Sequence, residues 1–139
     1  MMQAMLRLFR KRYRIRELLP GACDTHCHLL PQADDGIRSH ADALRLIASM
    51  KSMGLRECIC TPHISLRFPQ NEPEGLRRIF LPFKEQAAGM HPDFRLHLSA
   101  EYMIDERFPQ LLRREQLLPW PVAGDSRPHL LVEMPTGQL

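Results

Sequence analysis

The run Asp24-Thr25-His26-Cys27-His28-Leu29-Leu30-Pro31-Gln32-Ala33-Asp34-Asp35-Gly36 constrains this chain more than any other stretch. It begins in a β-prone segment, residues 22–28, and ends in a loop punctuated by Pro31 and Gly36. Residues i and i+2 of a strand point to the same side, so His26 and His28 present two imidazoles side by side. They do so at the carboxyl end of a strand, where α/β folds usually build their active sites. Two neutral imidazoles on one face suit a divalent transition metal, and Asp34 and Asp35 add oxygen donors nearby. An H-x-H pair alone is weak evidence, because it occurs by chance in many chains.

The rest of the chain alternates strand-like and helix-like segments. Ser39 is placed to cap a helix over residues 40–53, with Asp42 in its first turn and Gly54 just past its end. Ala43, Leu46, Ile47, Met50 and Met53 form its apolar stripe, which reads as a core face. Residues 56–60 form a second strand that stops at Thr61-Pro62-His63, since proline ends regular pairing. A second helix is expected over residues 74–89, kinked or broken by Pro82. Residues 94–100 alternate Phe94, Leu96 and Leu98 against Arg95, His97 and Ser99, a half-buried third strand ending at Glu101. A short helix over residues 106–114 and a fourth strand over residues 129–134 complete a β-α-β-α-β-α-β pattern, which implies parallel strands.

Each of these strand ends carries a metal-ligand residue type. Strand one ends at His26 and His28, strand two at His63, strand three at Glu101, and strand four carries Glu133 near its end. With Asp35, the candidate metal ligands are therefore His26, His28, Asp35, His63, Glu101 and Glu133. Mixed imidazole and carboxylate donors suit Mn²⁺, Fe²⁺ or Zn²⁺ better than Ca²⁺. Clustered metals of this kind hydrolyse phosphate esters by acidifying a bridging water and clamping phosphoryl oxygens. His40, His91, His97 and His129 fit no such pattern and read as surface or structural residues.

Composition narrows the alternatives. Residues 1–16 hold six basic side chains and no acid, whereas the net charge of the whole is only +3. The remainder is thus slightly acidic and offers no general nucleic-acid surface. The basic leader reads as a partly ordered arm. It is neither a secretory signal nor a membrane span, and a cytoplasmic location is expected. Cys23, Cys27, Cys58 and Cys60 are spaced C-x3-C and C-x-C, not as C-x2-C zinc knuckles. Each pair lies in a β-prone run, so buried, reduced thiols are expected.

The ordered motifs D-T-H-C-H-L-L-P-x-x-D-D-G, T-P-H, A-E-Y and L-V-E-M, spread over residues 20–135, resemble the polymerase-and-histidinol-phosphatase (PHP) superfamily. The likeness is greatest to its bacterial tyrosine phosphatase branch, linked to capsule and exopolysaccharide production. The resemblance implies a distorted (β/α)7 TIM-like barrel with up to three divalent metals, Mn²⁺ foremost. Carried over position by position, His26, His28 and Glu101 would bind the first metal. Glu101 would bridge to a second, shared with Glu133, and Asp35 and His63 would serve the third. A metal-bound hydroxide would attack phosphotyrosine on a protein partner such as a bacterial tyrosine kinase. The family uses no cysteine nucleophile, and Cys27, between two ligands, should point to the opposite side of its strand.

Members of that branch are considerably longer than this chain. Their later strands add a further histidine, a D-x-H motif and phosphate-holding arginines that these residues do not include. The expectation is therefore a basic leader at residues 1–20 and a partial PHP domain at residues 21–139, with about four parallel strands, an open edge, and little or no turnover by itself. Two other functions fit the same residues. One is a small-molecule phosphatase of the histidinol-phosphate type, which the D-D-G loop and Glu133 disfavour. The other is a non-catalytic metal-binding module.

Overall fold

Four passes of the chain run parallel and lie side by side in chain order. Pass one is β1 (Cys23–Cys27); pass two holds β2 (Glu57–Cys60) and β3 (His63–Ile64). Pass three holds β4 (Arg95–Leu98) and β5 (Glu101–Met103), and pass four is β6 (Leu131–Glu133). Pairing gives two three-stranded sheets, β1-β2-β4 and β3-β5-β6, parallel throughout. The computed structural model describes residues 14–122 and 124–135. Of the expected basic leader, residues 1–13 lie outside the described residues, and Ile15–Leu18 forms a single helical turn, α1.

The second and third passes differ from the expectation of one strand each. The chain divides at Thr61-Pro62 and again at Ser99-Ala100, and pairing resumes beyond both breaks. Pro62 has no N–H to give to a ladder, yet bonds still cross the break. The Thr61 amide donates to the Cys27 carbonyl at 2.8 Å, the Ser99 amide to Cys60 at 2.9 Å, and the Glu101 amide to Pro62 at 3.1 Å. Glu101 therefore opens β5 instead of trailing the third strand, in direct register with His63. The fourth strand is also shorter than residues 129–134, because His129 pairs antiparallel with Trp120 instead.

The helices fill the connections. Helix α2 (His40–Ser52) starts as expected, with Ser39 Oγ accepting from the Asp42 amide at 3.1 Å. Its buried face is Ala43, Leu44, Ile47 and Met50, so Leu44 faces the core and Leu46, expected there, is half exposed. Gly54 follows at φ 105°, where a Cβ would lie 2.7 Å from the Leu19 carbonyl oxygen.

Helix α3 (Pro73–Met90) runs through Pro82 without the break that was one of the two outcomes expected there. Pro82 and Arg78, whose carbonyl loses its partner, both lie on the exposed face of the helix. Helix α4 (Phe108–Arg113) is shorter than residues 106–114, because Asp105 Oδ1 holds the Arg107 amide at 2.9 Å in a turn ahead of it.

Helices α2 and α3 cover one face of the β1-β2-β4 sheet. Ile47, Met50, Leu76, Phe80 and Phe83 join Cys58, Cys60 and Leu96 in one core cluster. The other face carries Glu57, Arg95 and His97, paired with one another near solvent. No described helix is long and apolar enough to cross a membrane.

Candidate metal centre

A bulge in β1 aims the two histidines. Asp24 pairs with Cys58, but Cys27 pairs with Cys60, so three steps on β1 oppose two on β2. The extra residue reverses the alternation. Cys27 joins Asp24, Cys58 and Cys60 on the helix-covered side, which turns His26 and His28 to the other. The Cys27 amide and carbonyl are both held by Thr61 Oγ1, at 3.1 and 3.3 Å, and this fixes the end of the strand.

All six residues expected as ligands come together. Glu101, only 6% exposed, stands at the centre. Its Oε2 atom lies 3.1 Å from His26 Nε2, 3.4 Å from His28 Nε2 and 3.2 Å from His63 Nδ1. Glu133 Oε2 lies 3.7 Å from His63 Nδ1, and Asp35 Oδ1 lies 3.7 Å from His63 Nε2. The donors fall into overlapping groups small enough to hold an ion: His26–His28–Glu101, His63–Glu101–Glu133 and His28–Asp34–Asp35–His63. His63 links the last two through its two ring nitrogens.

Asp34 has a part in the site that sequence reasoning did not give it. Its Oδ2 accepts from His28 Nδ1 at 2.7 Å and from the His63 amide at 2.9 Å, and its Oδ1 accepts from the Gly36 amide at 3.0 Å. Burial opposes ionisation of Asp34, but these bonds outweigh it and hold the carboxyl below its ordinary range. An ionised carboxylate only accepts, so His28 Nδ1 carries the proton and Nε2 faces Glu101. The bond to Asp34 outweighs burial and raises the His28 pKa.

Gly36 makes the loop possible, since a Cβ there would lie 2.4 Å from the His28 carbonyl oxygen. An outer carboxylate that orients a ligating histidine is worth about 10–100-fold in metal affinity. Asp34→Asn should therefore weaken Mn²⁺ binding by about that factor, with the circular dichroism spectrum unchanged. Unchanged affinity in calorimetry would show that His28 needs no such support.

The donor set fits divalent metals on physical grounds. His63 Nδ1 is a buried polar atom with no hydrogen-bond partner, a state that ordinarily costs about 1–3 kcal/mol. It points between Glu101 and Glu133. In its neutral form, with the proton on Nδ1, His28 turns an Nε2 lone pair toward the Glu101 carboxylate. Lone pairs and carboxylates that converge at this range repel one another unless a cation lies among them.

The remaining histidines are accounted for elsewhere. His40 meets Gln86, His91 meets the Leu44 carbonyl, His97 meets Glu57, and His129 meets Asp125. All four cysteines are free thiols. Cys27 Sγ lies 2.7 Å from Cys58 Sγ, on the side away from the donor cluster. Hydrogen bonding to Cys27, reinforced by burial, pushes the Cys58 and Cys60 thiols up. No cysteine faces the site as a nucleophile.

The described residues thus form a parallel α/β scaffold with a cluster of candidate metal donors where its passes meet. This chain belongs to the capsular polysaccharide synthesis CpsB/CapC family, whose model matches residues 22–138. The tyrosine-protein phosphatase YwqE of Bacillus subtilis (strain 168) is 31% identical over 114 residues, covering 81% of this chain and 42% of that protein. A crystal structure from work on YwqE of Bacillus subtilis and CpsB of Streptococcus pneumoniae, described as unique metal-dependent tyrosine phosphatases, matches with a TM-score of 0.68 at 28% identity. That match covers 81% of this chain and 44% of the other. The chain thus spans less than half the length of these relatives.

Proposed function

We propose that this chain carries the metal-binding part of a phosphotyrosine phosphatase. The observation that supports this most is the convergence of His26, His28 and His63 on a single oxygen of Glu101, at 3.1, 3.4 and 3.2 Å. The match to the tyrosine phosphatases YwqE and CpsB supports the substrate class.

In this reading His26, His28 and Glu101 hold one ion, Glu101 and Glu133 a second, and Asp35 and His63 a third, with Mn²⁺ the favoured metal. When bound, such ions supply Lewis acidity that polarises phosphoryl oxygens and acidifies water. The protein's own residues do the positioning. Glu101 would be shared by two of the ions, Asp34 sets the tautomer of His28, and His63 joins two donor groups through its two nitrogens.

The scaffold corresponds to the opening part of a (β/α)7 TIM-like barrel in a partial domain spanning residues 21–139, preceded by a basic leader. Its four consecutive parallel passes and one helix-covered face support that. The partner would be a phosphotyrosine protein, a bacterial tyrosine kinase among the candidates, in the cytoplasm.

The test compares phosphate release from a phosphotyrosine peptide and from histidinol phosphate at equal Mn²⁺. The ratio carries the result, even where absolute rates are low. A preference of about tenfold or more for the peptide, lost in His28→Ala, is expected. The reverse order would establish the small-molecule reading. Release from neither, with metal bound, would leave these residues a metal-binding part without turnover of their own.

A further inference from the structure

The loop between β3 and α3 forms one wall of a cavity of about 490 Å³ beside the donor cluster. Asp35, His63 and Glu133 line one part of it, and Leu66, Phe68 and Met103 give it an apolar side. Its size is in the range of small-ligand sites, which pair apolar walls with a few convergent polar groups.

Two side chains of the loop are arranged about this cavity. The Phe68 ring lies parallel to the His63 imidazole, 4° apart in tilt with centroids 5.7 Å apart. The Arg67 guanidinium lies 5.3 Å from the Phe68 centroid and 3.1 Å from Asp35 Oδ2. Asp35 thus gives one oxygen to Arg67 and the other to the donor cluster. The Arg67 side chain is 73% exposed, so it is free to turn from Asp35 toward an incoming anion.

This loop is held in place. Arg107, from the turn before α4, donates to the carbonyls of Ser65 at 3.2 Å, Phe68 at 3.3 Å and Asn71 at 2.6 Å. The Leu66 amide donates to Asp105 Oδ2 at 2.7 Å. Asn71 Nδ2 donates to the carbonyls of Ala33 and His63, at 3.0 and 2.7 Å, tying the loop to both donor segments. A cation and an aromatic ring are therefore held on a fixed backbone next to the candidate metal centre.

We propose that Arg67 and Phe68 form an aryl-phosphate subsite, with the guanidinium against the phosphate and the Phe68 ring against the substrate's ring. The proposal rests on the phosphatase reading and deepens it. A planar guanidinium matches phosphate oxygens in bidentate fashion. An aromatic pair adds about 0.5–1.5 kcal/mol beyond burial, enough to favour aryl over alkyl phosphates about two- to tenfold.

The experiment titrates the Mn²⁺-loaded chain calorimetrically with phenylphosphonate and methylphosphonate, after a separate Mn²⁺ titration of every variant. Wild type should prefer phenylphosphonate by about two- to tenfold. Phe68→Ala should erase that preference and leave methylphosphonate affinity unchanged. Arg67→Ala should weaken both ligands by about tenfold, and Arg67→Lys should recover part of the loss. Unchanged affinities and preference in the variants would overturn the subsite and leave the phosphatase reading intact. A loss in Arg67→Ala that only mirrors weaker Mn²⁺ binding would make Arg67 a positioning residue for Asp35 and overturn the phosphate contact. Mn²⁺ binding by wild type with no affinity for either phosphonate would overturn both.

Discussion

Glu101→Gln will leave the chain unable to hold more than one divalent ion. One Glu101 oxygen lies within 3.4 Å of a nitrogen from each of His26, His28 and His63. The same carboxylate belongs to two of the donor groups. Gln keeps the shape but loses the charge, and its NH₂ would point a donor at an incoming cation. Removing a group that only orients a ligand costs about 10–100-fold in affinity. Removing a shared ligand should cost at least about 100-fold and lower the stoichiometry. Calorimetry with elemental analysis of the dialysed protein reads both. A Gln variant with wild-type stoichiometry would show that Glu101 is a structural carboxylate, not a bridge. The same change relieves a buried charge, so the metal-free variant should be no less stable than wild type.

The second large effect concerns the scaffold. Phe83 is fully buried on α3, within the core that α2 and α3 form with the strands, and meets His40 edge-on at 5.5 Å. Phe83→Ala removes a whole ring from a packed interior, which costs about 3–5 kcal/mol. Domains of this kind hold only about 5–15 kcal/mol in all. The melting temperature should therefore fall by roughly 10–20 °C, and the urea midpoint should drop with an unchanged slope. The solvent-facing neighbour Lys84→Ala should change stability by no more than about 0.5 kcal/mol. A loss below about 1 kcal/mol in Phe83→Ala would mean that α3 does not pack on the strands as described.

Much of the site was legible because its chemistry and its position in the chain coincide. Ligand residue types stand at the ends of the expected strands, and parallel passes bring them together even though His63 and Glu101 in fact open β3 and β5. That logic singled out His26, His28, His63, Glu101 and Glu133, which the fold brings together, with no knowledge of the break in the sheet. It also placed Cys27 on the far side of its strand, although simple alternation was not the whole reason.

The bulge between Asp24 and Cys27 decides which face the histidines take, and no Gly or Pro marks it in the sequence. For the same kind of reason Asp34, read only as a nearby oxygen donor, was not given its role in orienting His28. Two adjacent carboxylates look alike in a sequence, and only the fold shows one turned toward His28 and the other toward Arg67. The break allowed for at Pro82 did not occur, since the cost of a proline depends on whether the orphaned carbonyl faces water, which helical periodicity alone did not settle.

Electron paramagnetic resonance of the Mn²⁺-loaded chain tests the account most directly. Ions held by His26–His28–Glu101 and His63–Glu101–Glu133 would share the Glu101 carboxylate and so couple magnetically. The account predicts an exchange-broadened, multi-ion spectrum at saturation, which collapses in Glu101→Gln to the hyperfine pattern of an isolated ion. That isolated pattern from the wild-type chain at full occupancy would contradict it.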